Sequence, residues 1–257
     1  MWHAPFRRLW HDANDLKFPQ MRRLLAAASG ADLAPGKMIQ FQDVSKYYDN
    51  QTALRKITFS IEKGELVFIT GPSGSGKSTL LKLIYRAIRP DEGSLRVMDL
   101  SLNTLRESDV PQLRRHIGVV FQDFRLLDNR NIFENVAFAL RIRGVDEKEI
   151  KTKVFETLKI VNLRHKSDNY PPTLSGGEQQ RISLARAIVA DPAIILADEP
   201  TGNIDPDTAA GITRISKDIN ARGTTILIAT HNRELFRNTG RRVLKLDFGN
   251  FAGEEAG

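Results

Sequence analysis

The chain has 257 residues, 41% hydrophobic and 27% charged, an ordinary globular composition that excludes collagen-like, disordered and disulfide-scaffold classes. It contains no cysteine, which excludes thiol catalysis and cysteine-ligated zinc or iron–sulfur centres. The formal charge of +7 suits nucleic acid or an anionic lipid surface, and no run reaches the roughly 20 apolar residues of a spanning helix, so a membrane role must pass through a partner or a surface contact.

Residues 1–37 differ from the rest. They hold both tryptophans, Trp2 and Trp10, which recur with Phe6, Leu9, Ala13 and Leu16 at helical spacing. Arg7, Arg8, Lys17, Arg22, Arg23 and Lys37 against Asp12, Asp15 and Asp32 leave +3 of the total charge here and +4 on the remainder. Three readings stand open for this extension: a basic amphipathic helix lying on a membrane surface, a disordered tail, or an extension upstream of a true start at Met38. A signal peptide is not expected, because no continuous apolar stretch follows the charges. The stretch from Ala26 to Lys37, with Gly30, Pro35 and Gly36, reads as a linker.

Met38 opens an alternating run, Ile39-Gln40-Phe41-Gln42-Asp43-Val44, that predicts a strand. From there β-rich runs alternate with helical patterns, which predicts an α/β fold with helices packed round a largely parallel sheet. Leu66 to Thr70 is an apolar strand run, followed at once by Gly71-Pro72-Ser73-Gly74-Ser75-Gly76-Lys77-Ser78-Thr79 and then by Leu80, Leu81, Leu83 and Ile84 at helical periodicity. This matches the phosphate-binding loop in its required setting between strand and helix. The glycines let backbone N–H groups turn inward round phosphate oxygens, the helix N-terminus adds positive dipole, Lys77 reaches the β and γ phosphates, and the Ser78 hydroxyl ligates Mg²⁺.

Further along, Ala193 to Ala197 forms an apolar strand ending in Asp198-Glu199. A carboxylate at the C-terminal edge of a parallel strand points into the crevice where phosphates sit. Asp198 suits Mg²⁺, and Glu199 suits polarising the attacking water. Without the phosphate loop the pair would read as a helix N-cap.

Leu174-Ser175-Gly176-Gly177-Glu178-Gln179-Gln180-Arg181, taken alone, is a helix start in which Ser175 and Glu178 make a capping box. Upstream of the Asp198-Glu199 strand, it resembles the signature motif of the ATP-binding cassette (ABC) ATPases. The other elements of that family follow over residues 38–247: Gln122 resembles its Q-loop glutamine, Asp205 its D-loop aspartate, and His231, after Ile226 to Thr230, its switch histidine. Tyr48 resembles the aromatic that stacks on adenine, with Tyr47 beside it as the alternative. A lone histidine after an apolar strand would otherwise read as a structural residue. His3, His11, His116 and His165 are assigned no role.

The resemblance implies a P-loop NTPase with an ABC-type nucleotide-binding domain over residues 38–249. This comprises a RecA-like parallel sheet core, an antiparallel β subdomain and a helical subdomain at about 123–180, with 250–257 left as a short tail. It implies ATP and Mg²⁺ as ligands, the metal being held by Ser78, Gln122 and Asp198. Lys77, Gln122, Glu199 and His231 carry catalysis. It also implies a homodimer whose two ATP sites each lie between the loop Gly71 to Thr79 of one copy and Ser175, Gly176 and Gly177 of the other. A groove beside Gln122 would receive a short helix from an integral membrane partner, which puts the chain at the cytoplasmic face of the membrane as a peripheral subunit.

The run Val119 to Leu127, with Asn135 to Leu140 and the stretch Leu196 to Asn203, resembles the cell-division branch of the family. Ile204 stands where leucine is more usual. The nearest alternative is the ATPase of a lipoprotein-releasing or macrolide-efflux transporter. ABC proteins acting on nucleic acid or ribosomes carry tandem cassettes or long coiled coils for which there is no room, so no nucleic-acid partner is expected. Intact Lys77, Asp198, Glu199 and His231 argue against an inactive scaffold.

Overall fold

The computed structural model describes residues 36–257 except 50 and 203. The readings made for residues 1–37 therefore lie, apart from Gly36 and Lys37, outside the described residues. The described residues form two sheets. The first is antiparallel, in the order β2-β1-β4-β5, from β1 (Lys37–Tyr48), β2 (Gln51–Glu62), β4 (Glu92–Val97) and β5 (Leu100–Ser101). The alternation read from Ile39 onward is visible in β1, where Ile39, Phe41 and Val44 are buried and Gln42 and Asp43 exposed. Phe41 stacks on its cross-strand partner Phe59 at 4.8 Å between ring centres.

The second sheet has the order β10-β9-β3-β8-β7-β6, from β3 (Leu66–Thr70), β6 (Ile117–Val120), β7 (Ile194–Asp198), β8 (Thr225–Ala229), β9 (Arg242–Asp247) and β10 (Asn250–Ala256). β9, β3, β8, β7 and β6 run parallel. The central β3, β7 and β8 are continuous apolar runs because helices cover both faces. Among the described residues six α-helices join the strands: α1 (Lys77–Ile84), α2 (Val110–Arg115), α3 (Ile132–Arg141), α4 (Glu147–Ile160), α5 (Gly176–Ile188) and α6 (Pro206–Asn220). Among the described residues no helix is long and apolar enough to cross a membrane.

The core has three parts. One joins the antiparallel sheet and α1 to one face of the parallel sheet, a second lies on the opposite face under α5 and α6, and a third lies among α3, α4 and α5. The helical part extends past the expected limit at 180, because α5 runs to Ile188 and packs its second half on β6. There Gly118 lies so close that a Cβ on it would stand 2.4 Å from the Ala187 carbonyl oxygen.

The end of the chain is the one clear departure. Residues 250–257, expected as a tail, include β10, which pairs antiparallel with β9. Its sequence, with Gly253, Glu254 and Glu255, looks polar because the strand is a sheet edge. Arg242 pairs with Glu254 and Lys245 with Glu255 across the two strands, while Phe251 packs on Phe59 at 5.9 Å.

His116, between α2 and β6, is pushed down to about 4 from the ordinary 6.5, first by burial and then by Arg143 and Arg115. The unfolded chain therefore takes up this proton more readily than the folded one. Its contribution is fully present above pH 6.5 and is lost as pH falls toward 4, up to about 2–3 kcal/mol. Urea unfolding of wild type and His116→Asn at pH 7 and pH 5 checks this: wild type should lose more stability between the two, and equal losses would exclude His116 as the source.

Candidate functional site

Because β3, β8 and β7 are parallel neighbours, their C-terminal ends lie side by side and the segments that follow converge. Thr230 N–H donates to Ile69 O at 2.9 Å and Glu199 N–H donates to Ala229 O at 2.9 Å, so the three strand exits are fixed relative to one another.

The loop after β3 curls round an ammonium. Lys77 is 7% exposed, and its Nζ donates to the Gly71 and Pro72 carbonyls at 2.8 and 3.0 Å. Gly76 precedes α1 in the left-handed region (φ 101°) and no side chain caps the helix, so the first N–H groups are left for an anion. Gly71 has no alternative: a Cβ there would lie 2.1 Å from the Leu246 carbonyl oxygen. The β9–β10 hairpin backs the loop, with Gly249 N–H donating to Ser75 O at 3.2 Å. Ser75 is 1% exposed and its Oγ has no hydrogen-bond partner within the protein.

Asp198 ends β7. Burial raises its carboxyl above the usual range, opposed by a hydrogen bond from Ser78 and raised again by the nearby Glu199. Its Oδ1 is buried without a partner. An orphaned carboxylate oxygen beside a hydroxyl is the donor set of a hard divalent cation, so Ser78 and Asp198 fit Mg²⁺. Both line a cavity of about 380 Å³ with Gln122, Lys82, Tyr85 and Arg125. Gln122, distant in sequence, is thus brought to the same space.

Glu199 sits in the left-handed region (φ 45°), unusual for a side chain of its size. The twist turns its carboxylate to His231: Oε1 accepts the His231 backbone N–H at 3.1 Å and lies 2.8 Å from Nδ1. An ionised carboxylate only accepts, so Nδ1 is the protonated ring nitrogen in this pair and Nε2 is the atom left to meet a ligand. The glutamate side chain is 11% exposed and the histidine 67%. His231 lines a second cavity of about 400 Å³ with Thr201, Gly202 and Asn232.

The two tyrosines are distinguished by their partners. Tyr47 is tied down, its hydroxyl donating to Glu92 at 3.1 Å and its N–H to Asp91 at 2.7 Å. The Tyr48 ring is 41% exposed, with Lys46 Nζ 5.6 Å from its centre.

Ser175 caps α5: its hydroxyl accepts the Glu178 N–H at 3.3 Å, and Glu178 reaches back to the Ser175 N–H at 3.0 Å. Lys166, bonded to Glu178 at 2.6 Å, is the first cause holding that carboxyl below its usual range. A Cβ on Gly177 would meet Thr208 of α6 at 2.9 Å. Asp205 caps α6, accepting the Thr208 N–H at 2.9 Å. Ser175, Gly176, Gly177 and Asp205 line neither of the two cavities described. Two contributors escaped sequence reasoning. Arg186 of α5 donates to the Phe124 carbonyl at 2.8 Å and also to the Arg125 carbonyl, pinning the segment after Gln122. Asn135, fully buried, accepts the Leu127 N–H and donates to the Leu127, Arg130 and Asn131 carbonyls, shaping the same connection. Their interactions span loops, so residue spacing carries no signal for them.

The fold and this strand-edge site define a P-loop ATPase of the cassette type. The model of the ABC transporter family matches residues 54–202. The chain belongs to the ABC family of ATP-binding proteins and is an ATPase. Among curated relatives, it is 46% identical over 220 residues to the cell division ATP-binding protein FtsE of Streptococcus pneumoniae, covering 85% of this chain and 96% of that one. It is 45% identical over 217 residues to FtsE of Escherichia coli, covering 84% and 98%. A solved structure of a dimeric ATP-binding cassette in a post-hydrolysis state, bound to ADP and Pi, superposes with a TM-score of 0.80 at 34% identity, covering 85% of this chain and 98% of that one.

Proposed function

We propose that the chain is the ATPase subunit of a membrane complex of the cell-division type. ATP-driven pairing of two copies is coupled to an integral partner of the FtsX type and regulates peptidoglycan hydrolysis during septation. The observation that carries this is the convergence of Lys77, Ser78, Asp198 and the Glu199–His231 pair at one sheet edge, in a chain 46% identical to FtsE.

In this reading Lys77 and the N–H groups at the start of α1 bind the β and γ phosphates, and Gly71 to Thr79 wrap them. Ser78, Asp198 and Gln122 would hold Mg²⁺, which would supply positive charge to offset that of the phosphates. Glu199 orients a water in line with the γ phosphorus and takes its proton as the new P–O bond forms and the bond to ADP breaks. His231, aligned by Glu199 through Nδ1, meets a γ-phosphate oxygen through Nε2, which donates there as the imidazolium, the form in which both ring nitrogens carry a proton. Tyr48, whose neighbour Tyr47 is already engaged, stacks on adenine. Ser175, Gly176 and Gly177, at the start of α5, complement the γ phosphate held by a second copy, and Asp205 acts at that shared interface. The chain sits peripherally at the cytoplasmic face of the membrane, and the partner supplies the span.

Purification of the full chain from membranes in mild detergent, with identification of the integral protein retained with it, tests this. An FtsX-type protein is the expected result. A lipoprotein-releasing or macrolide-efflux permease in its place, or no integral protein, would overturn the cell-division assignment.

A further inference from the structure

Phe124 and Arg125, just after Gln122, are both left-handed, at φ 56° and 48°, a region that bulky side chains rarely enter. Among the described residues, one other pair of successive non-glycine residues shares it, Met98 and Asp99. Those two form the turn between Val97 and Leu100, paired residues of β4 and β5, and a two-residue hairpin takes positive φ at both places. Phe124 and Arg125 lie instead on the connection from β6 to α3. No strand pairing imposes their conformation, so the surroundings must hold it.

Arg186 of α5 supplies that hold. Its guanidinium donates to the Phe124 carbonyl at 2.8 Å and to the Arg125 carbonyl, the two peptide oxygens of the strained pair. Burial presses this guanidinium below its ordinary pKa. A desolvated cation is thus committed to two neutral oxygens, a costly arrangement that fixes where those oxygens stand.

The ends of the segment are fixed independently. Val120 pairs with Ala197 in the parallel sheet, and Leu127 exchanges two hydrogen bonds with the Asn135 side chain, at 2.8 and 3.1 Å. Between these anchors Gln122 and Asp123 line the cavity of Ser78 and Asp198. The Arg125 N–H donates to the Asp123 carbonyl at 2.6 Å, which draws the turn tight against them. The turn after Gln122 therefore governs how far that side chain can stray from the cavity.

We propose that Phe124 and Arg125 form a strained turn latched by Arg186, and that the latch sets the position of Gln122 relative to Ser78 and Asp198. Arg186 is then a positioning residue for metal binding, acting through two backbone carbonyls. The inference rests on the reading of Ser78, Asp198 and Gln122 as the metal-binding set.

The test titrates the full chain with Mn²⁺, followed by electron paramagnetic resonance, in the presence of a non-hydrolysable ATP analogue, and with ATP in EDTA by calorimetry. Arg186→Met keeps an apolar stem but has no N–H to give. It should bind Mn²⁺ at least about tenfold more weakly, the low end of what loss of an outer-shell partner costs. Its metal-free ATP affinity should stay within about twofold of wild type, since the phosphate loop is untouched. Hydrogen exchange at residues 122–126 should quicken in the same variant without nucleotide. Adding Phe124→Gly should bring Mn²⁺ affinity back to within about threefold of wild type, because glycine takes positive φ freely. Phe124→Val leaves Arg186 intact and puts a stiff β-branched residue at positive φ, so it should weaken Mn²⁺ in the same direction, and it decides the matter if Arg186→Met does not fold. Unchanged Mn²⁺ affinity in Arg186→Met or in Phe124→Val overturns the latch. A loss that Phe124→Gly does not repair overturns it too, since Arg186 would then act by packing alone. Wild type that binds Mn²⁺ no better with the analogue than without it sinks the metal reading and the latch together. Normal binding by wild type beside an unaffected Arg186→Met sinks the latch alone.

Discussion

Glu199→Gln is expected to bind ATP as tightly as wild type and to lose turnover by about 10²–10³-fold, within the range attributed to a positioned general base. The substitution is nearly isosteric. The amide oxygen can still accept the His231 N–H that Glu199 Oε1 now takes at 3.1 Å, and the residue is held by a backbone bond to Ala229 at 2.9 Å that the side chain does not affect. What is lost is a carboxylate able to receive a proton from water, together with the charge that fixes the ring of His231 through Nδ1 at 2.8 Å. The proposed mechanism thus separates binding from chemistry: in it Lys77 and the start of α1 hold the nucleotide, and Glu199 acts only as the bond to the γ phosphorus is made. Phosphate release under saturating Mg-ATP, beside an equilibrium ATP titration, measures the two. Undiminished hydrolysis would remove Glu199 from the base role, and a parallel loss of ATP affinity would show that the substitution had disturbed the loop instead.

The second large effect concerns Ser175. Its side chain caps α5 and, with its neighbours Gly176 and Gly177, lines neither the cavity of Ser78 and Asp198 nor that of His231. In the proposed reading it acts on the phosphate held by another copy. Ser175→Arg alone and Lys77→Ala alone should each lose at least about tenfold in ATPase activity, since one blocks the face offered to the partner and the other removes the cation that holds the nucleotide. Mixed in equal amounts, the two inactive chains should recover up to about one quarter of wild-type activity. Half of randomly formed pairs are mixed, and each mixed pair has one site built from an intact Lys77 and an intact Ser175. Sites contained within one chain would show no recovery at all.

How much of this was legible in the sequence follows from distance along the chain. The loop Gly71 to Thr79 and the Asp198-Glu199 pair were readable because the residues that act together are adjacent and the flanking strands are continuous apolar runs. The capping role of Ser175 was readable for the same reason, since Glu178 lies three residues on. The alternation of β1 from Ile39 was likewise readable from patterning, whereas the antiparallel and helical subdomains were expected from the family resemblance. What escaped was non-local or edge-like. β10 was hidden because an edge strand with paired glutamates resembles a polar tail. The direct contact of Glu199 with His231 depends on β7 and β8 being neighbours and on a left-handed backbone at a glutamate, neither of which local pattern encodes. The difference between Tyr47 and Tyr48 rests on Asp91 and Glu92, which engage Tyr47 from more than 40 residues away.

The claim on which the rest depends is that ATP joins two copies of this chain and hydrolysis releases them. Light scattering of purified Glu199→Gln, with and without Mg-ATP, addresses it most directly. Without nucleotide the mass should be that of one 28.9 kDa chain. With Mg-ATP it should rise to about twice that value and stay there, while wild type returns to one chain as ATP is consumed. A Glu199→Gln protein that binds ATP and remains at 28.9 kDa would contradict the account.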